Sequence, residues 1–496
     1  MLVLFGLLFS LVSLGTLIES AHLQSCCVLW NHKNFLWQMY RIKRNVPTLN
    51  QTFLMMYKVI YGIPYHLDEE PWDTYAQIKT SKEAGTVWPY LLRLDDTTEK
   101  LITLSDADGD NPRPCLNFSS YSYVNVIKEK EIVDRVYEEL VRGNYAFGNH
   151  GPRMLGGNNN WLCKLEKQLA DFTGREAALC FSSGFLACKT VVTAVAGKED
   201  AIFGDSRLHE SLRDGIRCAK MKGCRTFTFK HNDFQHLEEL LHKHRLQFKN
   251  AYIIIESVYS MDGDFADLIA CEALACKYNA KIILDEAHGL GILGQTGRGL
   301  EELQNCPGAA WLIVGSMTKA LGSVGGYVCG DEKLIDFLHF FSTGTMFSAP
   351  MSVPNAIAAY LSLQAIDENP QWLDETRENM WHLTQALKPL ESKYGVVVQT
   401  EVGSPLIAFI MKDFAPLRVL TLAHLLAQKG IYVAAVNPPA VPLREPRLRL
   451  TAPRESITQD DIEYFARELS EACEATKHIR CETLEELSTF FSLFGI

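Results

Sequence analysis

The chain has 496 residues, too many for one small domain, and its 47 % apolar content is enough for a large core plus a second one. Lys and Arg total 48 against 59 Asp and Glu, a formal net charge of −11 with no sustained basic tract, which argues against a nucleic-acid partner. The 14 cysteines lack CxxC spacing, so structural zinc and a disulfide framework are both disfavoured; Cys180, Cys271 and Cys276 read as reduced core residues in apolar-periodic segments.

Met1–Ile18 is almost wholly apolar and uncharged until Glu19, so it reads as a secretory signal, a short membrane anchor or a buried N-terminal helix. Lys33, Arg41, Lys43 and Arg44 follow it rather than precede it, which by the positive-inside rule favours an anchor with the body of the chain in the cytosol. We therefore expect a membrane anchor over 1–20 and an extension over 21–114, including a polar loop before Cys115–Phe118.

A helix is expected over Ile132–Val141, then a loop dense in glycine and asparagine over Gly143–Asn160. Trp161–Phe172 places Leu162, Leu165, Leu169 and Phe172 at helical spacing, with asparagines in front and Gly174 behind. Ala177–Phe181 reads as a buried strand leading into Ser182-Ser183-Gly184-Phe185. That small-residue turn is either an ordinary tight turn or a helix start whose backbone amides cradle a phosphate.

Alternation continues: strands at Asp200–Phe203, Arg225–Phe229, Ala251–Glu256, Lys281–Asp285 and Trp311–Val314, with helices from His209, over Asp233–His242 and over Phe265–Tyr278. This rhythm implies an α/β architecture with a parallel sheet, in which ligands collect at the carboxyl ends of the strands. Glu256, Asp285 and the residues before Lys319 all fall at such ends. The C-terminal part reads as two helices broken at Pro370, strands at Gly395–Gln399 and Leu406–Met411, and a helix at Leu417–Lys429. A strand over Ile431–Val436, the strand Arg447–Leu450 and a helix from Thr458 complete an α+β unit. We expect a large domain over 115–365, a small one over 366–480 and a tail over 481–496.

Lys319 lies in a loop of small residues between two buried strands, where Gly322, Ser323, Gly325 and Gly326 allow close backbone approach. It is either a lysine at an exposed turn or an amine whose pKa is lowered for imine chemistry. Asp285 in ILDEAHG is a strand-end carboxylate that could pair with a ring nitrogen, ligate magnesium or cap a helix, and His288 follows on the same loop. An imine lysine, a carboxylate for a ring nitrogen and a phosphate cradle are together what a pyridoxal phosphate site requires.

Four segments then decide between these readings: TFKHND, IIESVYSMDGDFADL, IILDEAHGLGILGQTGRGL and GSMTKALGSVGGYVCG. Through them, the stretch from Cys115 to Ala472 resembles the α-oxoamine synthase family of pyridoxal phosphate enzymes, and within it the serine palmitoyltransferases. The resemblance implies a fold type I transferase with a large, mostly parallel-sheet domain and a smaller α+β C-terminal domain. It implies that Lys319 holds the cofactor as an imine and moves a proton, that Asp285 pairs with the ring nitrogen and His288 with the ring oxygen, and that His209 stacks on the ring. Ser183, Gly184, Phe185 and Ser316 would hold the phosphate, while Glu256 and Ser260 line the site. Arg449, or Arg447 if the register slips by two, would bind the amino-acid carboxylate beside Ser122.

The resemblance further implies L-serine and a long-chain acyl-CoA as substrates and a homodimer or a heterodimer with a paralogous subunit; the anchor read from Met1–Ile18, expected as a single pass in the endoplasmic reticulum membrane, supports the serine palmitoyltransferase member. No metal is expected. Three positions depart from the family: Ser122-Tyr123-Val124-Asn125 stands where Asn-Tyr-Leu-Gly is usual, Leu162 where His is frequent, and Ala349 where many members have Thr.

Overall fold

Seven short runs of branched and aromatic residues form the central sheet: β1 Ala177–Phe181, β2 Ala201–Asp205, β3 Arg225–Phe229, β4 Ala251–Glu256, β5 Lys281–Asp285, β6 Leu312–Ser316 and β7 Gly326–Gly330. The computed structural model describes residues 93–94, 101–105, 112–412, 416–437, 440–442 and 444–479. Within the sheet the order is β1-β7-β6-β5-β4-β2-β3. The pairs β2/β3, β2/β4, β4/β5 and β5/β6 are parallel, while β7 runs antiparallel to β1 and β6. Strand pleating divides the core between the two faces. Along β4, Ile253 and Ile255 join one apolar cluster while Tyr252 and Ile254 join another.

Helix boundaries follow their capping chemistry. The Asn159 side chain accepts from the amides of Trp161 and Leu162 at 3.0 Å, and Gly174, at φ 64°, ends the Asn160–Thr173 helix in the left-handed region. Thr458 and Asp461 form a reciprocal capping box at the start of the Gln459–Ala475 helix. The helix expected from Phe265 begins instead at Leu268, because the Asp267 side chain caps it and Phe265 is held in a bridge to Val258.

The second sheet consists of β8 Val396–Gln399, β9 Ile407–Met411, β10 Ala434–Val436 and β11 Arg447–Leu450, all antiparallel in the order β8-β9-β11-β10. It shares a core with the helices Gln371–Leu387, Pro416–Gln428 and Gln459–Ala475.

Some expectations fail here. The strand expected over Ile431–Val436 is split: Ile431–Tyr432 pairs in parallel with Arg113–Asn117, whereas Ala434–Val436 joins the second sheet. The extension, for which no strand was expected, contains Leu101–Ser105, which pairs antiparallel with Arg113–Asn117, a strand that starts inside the expected polar loop. Pro114 lies opposite Thr103 in that ladder, and a proline inside a sheet hides a strand from sequence reading. Cys180 and Cys271 are buried as expected, but Cys276 is exposed, so it is no core residue.

Residues 89–480 form one compact unit. The expected anchor (1–20), most of the extension (21–114) and the tail (481–496) lie outside the described residues. Among the described residues no helix is long and apolar enough to cross a membrane. The expected single-pass endoplasmic reticulum anchor therefore has no support in the structure.

Candidate active site

Parallel register delivers the acidic groups. Glu256 at the end of β4 pairs with Asp285 at the end of β5, so two carboxylates emerge side by side, and both are buried. Burial, and then the charge of Asp285, push Glu256 well above the usual carboxylate range, although the His209 amide donates to its Oε1. Asp285 is also raised by burial, against the opposing pull of the Ala287 amide 2.8 Å from Oδ1 and of His209 and Lys319. A desolvated carboxylate of this kind gains most from a cationic partner.

Lys319 follows β6 in the loop that returns as β7. Burial lowers its pKa and Arg449 adds to the effect, with Asp285 opposing. His288 is buried, and its Nδ1 lies 2.6 Å from the Tyr123 hydroxyl. Burial, with Lys319 and Arg449 nearby, drives His288 well below its ordinary range, so its ring is neutral. His209 caps the Glu210–Met221 helix. It remains open to solvent, yet the surrounding protein is dense enough to lower its pKa.

The cradle is set by small residues. Ser183 caps the Gly184–Val195 helix, its Oγ accepting from the Leu186 amide at 3.2 Å. A Cβ on Gly184 would sit 2.5 Å from Ser316 Cβ, and one on Gly326 would sit 2.4 Å from the Ser183 carbonyl oxygen. Glycine at these two positions lets the helix start meet the ends of β6 and β7. The Phe185 side chain is exposed, so only its backbone belongs to the turn. Ser316 Oγ lies 2.8 Å from Thr318 Oγ1, and Ser260 is half-buried.

The two arginines of β11 share a face and are both buried, but their surroundings differ. Every nitrogen of Arg447 is engaged: Nη1 donates to the Met261 carbonyl and to Asp262, each at 2.7 Å, while Nη2 donates to the Glu445 carboxylate and Nε to the Glu445 carbonyl, each at 3.0 Å. Arg449 lies flat on Tyr121, its guanidinium carbon 3.7 Å from the ring centroid, and its buried Nη1 has no partner. The buried Ser122 hydroxyl also lacks one. Buried orphans of this kind mark places where a ligand's polar atoms complete the bonding.

These observations fit pyridoxal phosphate: a lysine with a weakened ammonium, a desolvated carboxylate and a helix N-terminus approached closely by backbone. Sequence reading missed Tyr121 and Tyr123, although they flank Ser122 in an alternating YSY run. It also missed Glu286, next to Asp285, which is buried with its Oε1 2.7 Å from the Leu300 amide.

His231, Asp262 and Asp264 bring potential metal-ligating atoms within 4.8 Å of one another. Asp262 already meets Arg207 and Arg447, and His231 meets Asp205 and Asp264, so the group is an ion-pair network.

The family model for aminotransferase class I and II matches residues 113–469. A protein of Microcystis aeruginosa named as an 8-amino-7-oxononanoate synthase is 33 % identical over 340 residues, covering 68 % of this chain and 84 % of the relative. Among solved structures, serine palmitoyltransferase of Sphingomonas wittichii superposes with a TM-score of 0.75 at 25 % identity, covering 84 % of this chain and 100 % of that one. A high-resolution SPT structure with PLP superposes with a TM-score of 0.73 at 25 % identity, covering 83 % of this chain and 99 % of that one. These relatives are bacterial proteins, so the likeness lends no support to the expected single-pass anchor in the endoplasmic reticulum membrane.

Proposed function

This chain belongs to the aminotransferase class I and II family, as one of its pyridoxal phosphate-dependent α-oxoamine synthases, and we propose that it is a serine palmitoyltransferase. The class is that of a C-acyltransferase with pyridoxal phosphate as cofactor. The proposed reaction joins L-serine to palmitoyl-CoA with loss of CO₂ to give 3-ketodihydrosphingosine. The observation that carries this choice is the superposition on a serine palmitoyltransferase over that protein's full length. A second reading, an α-oxoamine synthase for another amino acid or acyl-CoA, is favoured by the 33 % identity to a protein named for a different product.

Pyridoxal phosphate, when bound, supplies an electron sink for the carbanion formed at the amino acid Cα. Lys319 is assigned to hold it and to take and return the Cα proton, a role supported by the burial that favours a free amine. Asp285 would face the ring nitrogen, His288 the ring oxygen and His209 the ring face. Amides of Gly184 and Phe185, with Ser183 and Ser316, are assigned to the phosphate, and Glu256 and Ser260 to the walls. Arg449 is assigned to the amino-acid carboxylate because its buried Nη1 has no partner, whereas every nitrogen of Arg447 already bonds to protein. A dimer is supported by the exposed aromatic side chains Phe340, Phe341 and Phe347 within one short segment.

The test is a product assay. The purified protein, loaded with pyridoxal phosphate, is incubated with serine, glycine or alanine and with CoA esters of several lengths, and the ketone is identified by mass spectrometry. Serine with palmitoyl-CoA should give the highest kcat/KM. A preference for alanine with a short dicarboxylic ester would overturn the choice within the family. Failure to gain an imine absorbance band, or its persistence in Lys319→Ala, would overturn the site itself.

A further inference from the structure

Two buried groups next to the site have no role in the chemistry above. Cys188 lies four residues after Gly184 on the Gly184–Val195 helix, so the helix that opens at the phosphate turn presents a thiol on the same face. Its Sγ lies 3.4 Å from Asp285 Oδ2. Ser211, in the first turn of the Glu210–Met221 helix, has its Oγ 2.7 Å from His209 Nδ1, and its backbone amide donates to the same nitrogen at 3.3 Å. Both side chains are buried. Cys188 therefore bonds Asp285 and Ser211 bonds His209, two of the groups assigned to the cofactor ring.

Directions of donation follow from the groups present. A backbone N–H can only donate, so Nδ1 of His209 accepts and the ring proton sits on Nε2. Burial, and then the charge of Asp285, hold the Cys188 thiol well above its ordinary pKa. It remains S–H, and its one proton is directed at the carboxylate.

We propose that Ser211 and Cys188 are positioning residues: Ser211 fixes His209 as its Nε2–H tautomer and Cys188 pins Oδ2 of Asp285, so that each of two side chains assigned to grip the cofactor ring is held by a buried neighbour. The proposal rests on the assignment of His209 and Asp285 to that ring.

Cys188→Ala, Cys188→Ser and Ser211→Ala are compared with the unmodified chain by thermal melting, by the pyridoxal phosphate dissociation constant, by the pH midpoint of the imine absorbance and by ¹⁵N NMR of His209 in the apoprotein. Loss of one hydrogen bond predicts about 2- to 10-fold weaker cofactor binding in Cys188→Ala, with a shifted imine midpoint. Cys188→Ser, which keeps a donor, should restore both. In Ser211→Ala the 2.7 Å hydroxyl donor is lost and only the backbone amide at 3.3 Å still holds Nδ1, so the His209 ring nitrogens should move toward a mixed-tautomer signature. Unchanged cofactor affinity and imine midpoint in a folded Cys188→Ala, together with an unchanged His209 spectrum in Ser211→Ala, would refute the proposal. Should Cys188→Ala not fold, Cys188→Val, which leaves no cavity and has no donor, carries the same comparison. If the unmodified chain gains no imine band, the assignment to the cofactor ring falls, whereas the apoprotein spectrum still decides whether Ser211 sets the tautomer.

Discussion

Replacing each β11 arginine by glutamine separates a ligand-binding guanidinium from a structural one. In Arg449→Gln the lost group is a buried Nη1 with no protein partner, on a guanidinium held flat against Tyr121. A carboxylate bonded there would make a charge-assisted hydrogen bond of about 1.5–3 kcal/mol, which corresponds to about a 10- to 150-fold rise in the amino-acid KM. Little stability should be lost, since no protein group is orphaned at Nη1. Arg447→Gln behaves in the opposite way. It strips Asp262 of a 2.7 Å ion pair and leaves the Met261 carbonyl without its donor, although Arg207 still covers the carboxylate. The expected cost is about 1–3 kcal/mol of stability, below the loss seen when a buried charge is left wholly uncompensated. Initial rates against serine concentration and thermal melting, measured on both variants, provide the assay. A KM unchanged in Arg449→Gln, or raised as much in Arg447→Gln with no loss of melting temperature, would refute the reasoning.

Gly326→Ala places a methyl group against the Ser183 carbonyl and Gly184 Cα, so the cradle must open. Overpacking of this kind costs about 1–3 kcal/mol, and cofactor titration should show roughly tenfold weaker binding; unchanged affinity counts against the cradle. For His231, burial pulls the pKa down, but hydrogen bonds to Asp205 at 3.0 Å and Asp264 at 2.8 Å outweigh it and lift the group to about 9. The folded value lies above the ordinary ~6.5, so the stabilisation is complete below about pH 6.5 and disappears as pH rises through 9. His231→Gln should melt well below the unmodified chain at pH 6, with the gap narrowing toward pH 9 or above; parallel curves contradict the pairing. Burial pushes Glu286 up to about 8 despite the Leu300 amide and Ser257. A carboxyl raised on folding is destabilising once the unfolded chain ionises, so Glu286→Gln should gain on the unmodified chain as pH rises from about 4.5 to 8 and then level off. A pH-independent difference would show that the carboxyl ionises normally.

The strands legible in the sequence were those whose burial is carried by contiguous branched residues. Ala251–Glu256 and Lys281–Asp285 were read to their final residues, and the chemistry at their ends came with them, because a parallel strand needs a continuous apolar run and stops where a polar side chain must leave the sheet. The Arg113–Asn117 strand was not legible in that way. Its Pro114 argues against a strand, and its pairing with Leu101–Ser105 on one side and Ile431–Tyr432 on the other is a long-range fact that no local pattern contains. The same distance effect split Ile431–Val436, whose uniform apolar run gives no sign that its two ends serve different sheets.

Within the site, residue type was legible and partnership was not. RLRL announces two arginines on one face, but nothing in the motif tells them apart. The distinction is made by a loop more than 180 residues earlier, where Met261 and Asp262 occupy Arg447, and by Tyr121, which covers one face of Arg449 and leaves Nη1 unbonded. Cys188 shows the same limit from the other side: inside FLACKTVV it reads as core packing, which it also is, and only the arrival of Asp285 at the end of β5 gives its one proton a direction. A side chain's chemistry is set by its type, whereas its role depends on which of its donors the fold has already used. The orphaned Nη1 of Arg449 therefore says more about where a carboxylate binds than the presence of either arginine does.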